Sequence, residues 1–273
     1  MADVDSRTEI TGILGWPVGH SLSPRMHNAA FGELGLNWAY LPLPVAPGSV
    51  ATAVAGLAAV GCRGLNVTIP HKQEVIDACS SVSEAVTAIG AANTLVPDGD
   101  GGFSAHNTDA EGFIRAIDEA APIDLSGETV LLLGAGGAAR AVVHAVTSRG
   151  ASVVIANRTR SRAEALGEPI AFDDASIRNA LDRCRLVVNS TSLGMGGAPL
   201  PPELPLDGIG PQHVVNDLVY QPGGTAWLNA AAGRGARTVD GLGMLLHQGA
   251  VAFELWTGVP APIETMRAAL LSA

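Results

Sequence analysis

Leu131-Leu132-Leu133-Gly134-Ala135-Gly136-Gly137-Ala138-Ala139 is the most informative stretch of this chain. It closes a short apolar run, Thr129 to Leu133, of the kind that fills a strand buried on both faces of a parallel sheet. An Ala-rich helical pattern, Ala138 to Ser148, follows it. Between them, Gly134 permits a tight turn and Gly136 lets a pyrophosphate approach the backbone. Ala139 takes the third small position, where helix and strand pack closely. A phosphate held there meets free N–H groups at the positive end of the helix. Strand before and helix after are the context that turns a glycine pattern into a dinucleotide-binding unit, with Gly134, Ala135, Gly136, Gly137 and Ala138 as its turn.

The next strand, Ser152 to Ala156, selects the dinucleotide. Its end reads Ala156-Asn157-Arg158-Thr159-Arg160-Ser161-Arg162. An NAD site usually carries an acid here for the ribose hydroxyls. The acid is missing and three arginines stand in its place. A 2′-phosphate is repelled by a carboxylate and gripped by a guanidinium. Arg158 and Arg162 read as phosphate contacts and Arg160 as a solvated charge, so the expected cofactor is NADP.

The same rhythm continues on both sides. Leu186 to Asn189 and His213 to Asp217 extend the sheet downstream. Upstream, strands are expected at Thr11 to Gly15, Asn37 to Leu43 and Gly64 to Thr68. Helices are expected at Pro24 to Leu34, with Ser23 as N-cap and Pro24 at the first helical position, and at Val50 to Val60. Alternating strands and helices predict parallel sheets with right-handed crossovers. The rhythm breaks between Asp109 and Gly127, which suggests two domains. The last helices, Leu242 to Thr257 and Ile263 to Leu271, fit either.

Bulk properties narrow the function classes. A length of 273 residues suits two medium domains or one large one. With 47% hydrophobic and 15% charged residues the chain is not a disordered one. The net charge of -10 and the lack of any Lys/Arg run argue against a nucleic-acid partner. Cys62, Cys79 and Cys184 are odd in number and lack metal-ligand spacing. No disulfide framework and no metal site is expected, only thiols in a reducing cytoplasm. Met1 to Ile10 carries acids and no apolar core, unlike a signal peptide. Tyr40 to Cys62 lacks charge but is broken by Pro42, Pro44, Pro47 and Gly48. The remaining Val50 to Val60 falls short of the ~20 residues of a membrane span and reads as a buried helix.

Polar clusters stand out against this apolar background. Asn66-Val67-Thr68-Ile69-Pro70-His71-Lys72 ends a predicted parallel strand, where ligands bind in open α/β sheets. A desolvated lysine there is a candidate acid/base. Asp109, in Asn107-Thr108-Asp109, is a candidate partner. Burial lowers the pKa of such a lysine and a carboxylate raises it, so the two influences oppose each other. Gly90-Ala91-Ala92-Asn93-Thr94 supplies Asn93. Gly19-His20-Ser21-Leu22-Ser23-Pro24 supplies two hydroxyls at a helix start, an arrangement that suits a carboxylate. Asp217-Leu218-Val219-Tyr220 and the run from Asp240 to Gln248 add further polar groups. Gln248 lies about two turns into an apolar helix, where it satisfies a buried partner or meets ligand. The other histidines show no metal-ligand spacing.

Taken together and in order, these clusters resemble the shikimate dehydrogenase family, over nearly the whole chain from Gly12 to Trp256. The resemblance implies an α/β fold of two domains separated by a cleft. One is a mainly parallel substrate domain, residues 1–110 plus 241–273, and the other a Rossmann-like NADP domain, residues 111–240. It implies reversible reduction of 3-dehydroshikimate to shikimate with NADPH, with Lys72 as acid/base beside Asp109. Ser21 and Ser23 would hold the carboxylate with help from Tyr220. Thr68, Asn93, Asp109 and Gln248 would meet ring hydroxyls or the keto group. The glycine turn, Asn157, Arg158, Thr159, Arg162, Leu218, Gly241 and Met244 would line the NADP site. Two positions depart from the family pattern. Leu22 stands where a basic residue often separates the serines, and His71 where an apolar residue often precedes the lysine. A quinate or aminoshikimate dehydrogenase and a non-catalytic NADP sensor are the alternatives. The expected partners are small molecules, with no nucleic acid and no membrane, for a cytoplasmic monomer or homodimer.

Overall fold

A computed structural model of the chain describes residues 4–201, 203–221 and 223–272. The chain forms two compact units, Met1–Gly112 with Leu245–Ala273, and Phe113–Met244. In chain order the first contains β1 (Glu9–Gly15), α1 (Ser23–Glu33), β2 (Trp38–Pro44), α2 (Val50–Ala59), β3 (Gly64–Val67), β4 (Ser81–Val82), α3 (Glu84–Ile89), β5 (Thr94–Pro97), β6 (Phe103–His106) and the start of α4 (Asp109–Ala120). Its sheet runs β2-β1-β3-β5-β6-β4. β1 is parallel to β2 and β3.

The sheet is mainly parallel, as expected, but it includes one antiparallel strand that the sequence analysis did not single out. β5 runs antiparallel to both β3 and β6. The cause is a hairpin at Asp98-Gly99-Asp100-Gly101-Gly102. The Asp98 carboxylate accepts the backbone N–H of Asp100 at 2.8 Å and of Gly102 at 2.9 Å, closing the turn. The core on one side of the sheet gathers Leu14, Val50, Val54, Leu65, Val67 and Phe103.

Two local expectations need correction. Ser23 is the first residue inside α1, not its cap; Leu22 holds the cap position. The Ser21 hydroxyl instead accepts the Ser23 N–H at 3.3 Å. The helix α2 forms, but only Val50 and Val54 are buried along it. Its outer face is Ala, Thr and Gly, whose small apolar area makes exposure cheap.

The second unit contains β7 (Thr129–Leu133), α5 (Gly137–Thr147), β8 (Ser152–Ala156), α6 (Arg160–Glu164), β9 (Glu168–Ile170), α7 (Asp174–Leu181), β10 (Leu186–Asn189), β11 (Val214–Asp217), α8 (Ala226–Ala232) and β12 (Arg237–Val239). Every neighbouring pair is parallel, in the order β9-β8-β7-β10-β11-β12. This is the doubly wound order of dinucleotide-binding sheets, reversing between β7 and β10. Leu131, Val154, Val187 and Val215 pack there with Ile177, Leu181 and Trp227 from α7 and α8.

The chain ends in α9 (Gly241–Thr257) and α10 (Ile263–Leu271). The later part of α9 brings Phe253 and Trp256 into the first unit, where they meet Phe31, Tyr40 and His27 in an aromatic cluster.

Candidate active site

The topology of the first sheet collects chemistry at one edge. β1 and β3 are parallel neighbours, so the loops carrying Ser21, Ser23, Thr68 and Lys72 leave from the same end. β5 is antiparallel to β3, so it starts at that end with Thr94, one residue after Asn93. β6 reverses again and finishes there, delivering Asp109 at the head of α4.

Lys72 is fixed by its own turn. The His71 N–H donates to the Thr68 carbonyl at 2.9 Å, and the Lys72 carbonyl accepts the Ala92 N–H at 2.7 Å. The His71 ring is fully buried and its Nε2 bonds the Val45 carbonyl at 2.7 Å. The departure at this position therefore anchors the loop beside Lys72. Asn107 caps α4, its Oδ1 accepting the N–H of Asp109 at 3.0 Å and of Ala110 at 3.3 Å. Asp109 thus sits where the helix dipole favours a carboxylate.

The two side chains meet. Lys72 Nζ donates to Asp109 Oδ2 at 2.5 Å, with 14% and 5% of the side chains exposed. A buried pair like this repays desolvation only when further hydrogen bonds complete it. Asn93 supplies one, its Nδ2 donating to Asp109 Oδ1 at 3.0 Å. The same nitrogen donates to Thr108 Oγ1 at 2.9 Å and Gln248 Oε1 at 3.2 Å. Asn93 Oδ1 accepts the Thr108 N–H at 2.7 Å. Gln248 therefore does satisfy a buried partner. It is brought there by a close crossing of α4 and α9: a Cβ added to Gly112 would lie 2.6 Å from the Gln248 nitrogen. Thr68 and Ser21 are half-buried and Ser23 is buried. Thr94, Thr108 and Asn66 join the polar cluster although the sequence reading singled out only Asn93 among them. The antiparallel register Asn66↔Thr94 is what unites them.

The second unit has its own polar edge. Gly134 adopts φ +103°, and a Cβ there would lie 2.8 Å from both Ser190 Oγ and Thr191 Cγ2. Gly136 caps α5 without any side-chain bond, and nothing lies within 4 Å of where its Cβ would stand. The backbone at Gly136 is thus open on the side where a Cβ would stand, as the close approach of a pyrophosphate requires. Beyond β8, Arg160 pairs with Glu164 at 2.9 Å. Arg158 and Arg162 are exposed, and neither has a carboxylate partner among the described residues. Asn157 Nδ2 ties this turn to the Thr159 carbonyl at 2.8 Å.

Asp217 ends β11 and holds the loop bearing Leu218 and Tyr220. It accepts from the Val219 N–H at 3.0 Å, Asn189 Nδ2 at 2.9 Å and the Thr225 hydroxyl at 2.7 Å. Burial pushes its carboxyl above the usual carboxylate range, against those three donors. Gly241 packs directly on the Leu218 carbonyl, and Met244, one turn on, is buried. Among the described residues no group of side chains fits a metal ion, and no helix is long and apolar enough to cross a membrane.

Comparison with known proteins extends these observations. Residues 13–95 match the model for the shikimate dehydrogenase substrate binding domain. Residues 116–193 match that for shikimate / quinate 5-dehydrogenase, and residues 241–271 that for the shikimate 5'-dehydrogenase C-terminal domain. A shikimate dehydrogenase (NADP(+)) of Methanopyrus kandleri is 46% identical, over 98% of this chain and 97% of its own. A crystal structure of a shikimate dehydrogenase in complex with NADP+ superposes with a TM-score of 0.91 at 35% identity, over 99% of this chain and 97% of the other. A Thermus thermophilus shikimate 5-dehydrogenase in complex with NADP(H) and shikimate gives 0.84 at 35% identity, over 96% and 98%.

Proposed function

The chain belongs to the shikimate dehydrogenase family, and we infer that it reversibly reduces 3-dehydroshikimate to shikimate with NADPH. When bound, the nicotinamide supplies or takes up the hydride. The protein's task is placement and proton management. The observation that carries the assignment of roles is the Lys72–Asp109 pair at 2.5 Å.

In the reducing direction the carbonyl oxygen needs a proton, and the Lys72 ammonium gives it. In the oxidising direction the neutral amine takes the hydroxyl proton. Asp109 aims Lys72 by accepting one of its N–H groups, leaving the others for the reacting oxygen. Ser21 and Ser23 hold the substrate carboxylate. Thr68, Asn93, Asp109 and Gln248 receive the ring oxygens. Gln248 uses one amide hydrogen on the Leu245 carbonyl at 2.8 Å and keeps the other for ligand. A ring hydroxyl can replace Gln248 on Asn93, since 3.2 Å is the longest of that amide's contacts.

We assign the unit containing Lys72 to substrate and Phe113–Met244 to NADP, which keeps Gly241 and Met244 with the other cofactor residues. The glycine turn from Gly134 to Ala138 would hold the pyrophosphate. Asn157, Arg158, Thr159 and Arg162 would hold the phosphorylated ribose, and Leu218 and Met244 would line the rest of the cofactor site. A cytoplasmic setting is supported by three free cysteines. Every proposed acid/base and substrate group comes from one chain, so a monomer and a homodimer serve equally.

The test is the rise in nicotinamide absorbance when the protein meets shikimate and NADP+. Lys72→Ala should lower kcat by ~10²–10⁴-fold with KM nearly unchanged. Wild-type turnover in that variant overturns the assignment. Faster turnover of quinate than of shikimate makes it a quinate enzyme, and NADP binding without turnover of either makes it a sensor.

A further inference from the structure

Asp109 is the last acceptor in a longer line of hydrogen bonds. Tyr40 Oη donates to Asn66 Oδ1 at 2.6 Å, and Asn66 Nδ2 donates to Thr94 Oγ1 at 3.1 Å. Thr94 Oγ1 donates to Asn93 Oδ1 at 3.2 Å, and Asn93 Nδ2 donates to Asp109 Oδ1 at 3.0 Å. All five side chains are buried.

The direction of this line is set at its far end. Burial lifts the Tyr40 phenol well above its ordinary pKa, so it keeps its proton and donates. His27 stacks on its ring at 4.4 Å and Trp256 lies at 6.1 Å, excluding water. Asn66 must then turn its oxygen to Tyr40 and its nitrogen to Thr94 and to the Asn93 carbonyl, 3.1 Å away. The Thr108 hydroxyl also lies 3.2 Å from Thr94 Oγ1; when it donates there, Thr94 gives its one proton to Asn93 Oδ1, which the Thr108 N–H also holds. The opposite Asn93 orientation would set an amide oxygen against a carboxylate oxygen. Each donor therefore points toward Asp109, and Lys72 arrives from the other side.

We propose that Tyr40, Asn66 and Thr94 are positioning residues: a one-way donor chain that keeps the Asn93 nitrogen on Asp109 and so keeps Asp109 an acceptor for Lys72. The inference rests on the reading of Lys72 and Asp109 as the reacting pair. None of the three is among the substrate contacts proposed above; they act through Asn93.

Steady-state kinetics and pH–rate profiles of Tyr40→Phe, Thr94→Val, Thr94→Ser and Lys72→Ala test it, each variant checked by thermal unfolding. Tyr40→Phe and Thr94→Val should each lower kcat about ten-fold, with a smaller change in the KM for shikimate. They should also move the acid limb of the kcat profile to higher pH, because a carboxylate that loses a donor protonates more readily. Thr94→Ser restores the hydroxyl and should restore both values. A purely structural role would lower the melting temperature and leave the acid limb in place. Unchanged kcat and pH limb in Tyr40→Phe and Thr94→Val, with Lys72→Ala inactive, overturns the donor chain alone. Should Thr94→Val fail to fold, Tyr40→Phe decides by the same criterion. Turnover surviving in Lys72→Ala overturns the reading beneath it instead.

Discussion

Arg158, Arg160 and Arg162 share one short segment, yet only the middle one is spoken for. Arg160 reaches Glu164 along α6, an exposed pair of little energetic weight. The guanidinium groups of Arg158 and Arg162 keep all their donors for an anion. A charge-assisted bond contributes ~1.5–3 kcal/mol, which is about one to two decades in affinity. Arg158→Asp should therefore lower the ratio of kcat/KM with NADP to that with NAD by about ten-fold or more, since it removes a donor and adds a repelling charge. Arg160→Ala should leave the ratio alone. An unchanged ratio in Arg158→Asp would remove Arg158 from the phosphate site. This preference was legible from seven residues, because the reading depended on local charge and on the place of a strand end. The Lys72–Asp109 pairing was legible as an expectation, since Lys72 falls at a predicted strand end and Asp109 in a second polar cluster. The bonds that complete it were not.

Among the elements, what stayed hidden was the antiparallel hairpin of β5 and β6. Thr94-Leu95-Val96-Pro97 and Phe103-Ser104-Ala105-His106 flank a turn rich in Gly and Asp, which is a hairpin signal in its own right. A rhythm of strands and helices had drawn the reading toward parallel crossovers. The register Asn66↔Thr94 depends on that hairpin, and so does the line of bonds behind Asp109. Pairing between residues 28 apart leaves no periodic trace in sequence. The Rossmann sheet was legible because each βα step repeats a local pattern. Its β11 loop carries a further consequence. Asp217 has a raised pKa, so ionisation costs the native state stability as pH rises through the unfolded value near 3.8. Asp217→Asn removes that charge, keeps one oxygen for Val219 and Asn189, and turns its nitrogen to Thr225. It should unfold at pH 7 at or above the wild-type temperature. Asp217→Ala strands three buried donors, each worth ~1–3 kcal/mol, and should unfold well below. A calorimetric trace with Asn as damaging as Ala would show that the charge itself holds the loop.

One side chain the proposed chemistry never uses makes the whole molecule sensitive to acid. His27 is fully buried in α1, stacked on Tyr40 and set among Phe31, Phe253 and Trp256. Neither ring nitrogen has a hydrogen-bond partner among the described residues. Desolvation lowers its pKa from 6.5 to about 3. Above pH 6.5 the ring is neutral whether the chain is folded or not, and it contributes nothing to pH dependence. Below 6.5 the unfolded chain takes up a proton that the native state refuses, so stability falls as pH falls, until about 3. The slope from this one group is about 1.4 kcal/mol per pH unit, large against the ~5–15 kcal/mol that holds a domain folded. His106, half-buried and shifted the same way by desolvation, adds to it. Replacing His27 by Leu also removes two unsatisfied nitrogens from the aromatic cluster, where they oppose the packing around Tyr40 and Trp256. Denaturant unfolding of wild type and His27→Leu at pH 7, 5.5 and 4.5, followed by tryptophan fluorescence, should show the two stabilities diverging as pH falls, in favour of the variant. Parallel lines across that range would mean that the ring takes its proton inside the fold, and that the aromatic cluster opens to water before the chain unfolds.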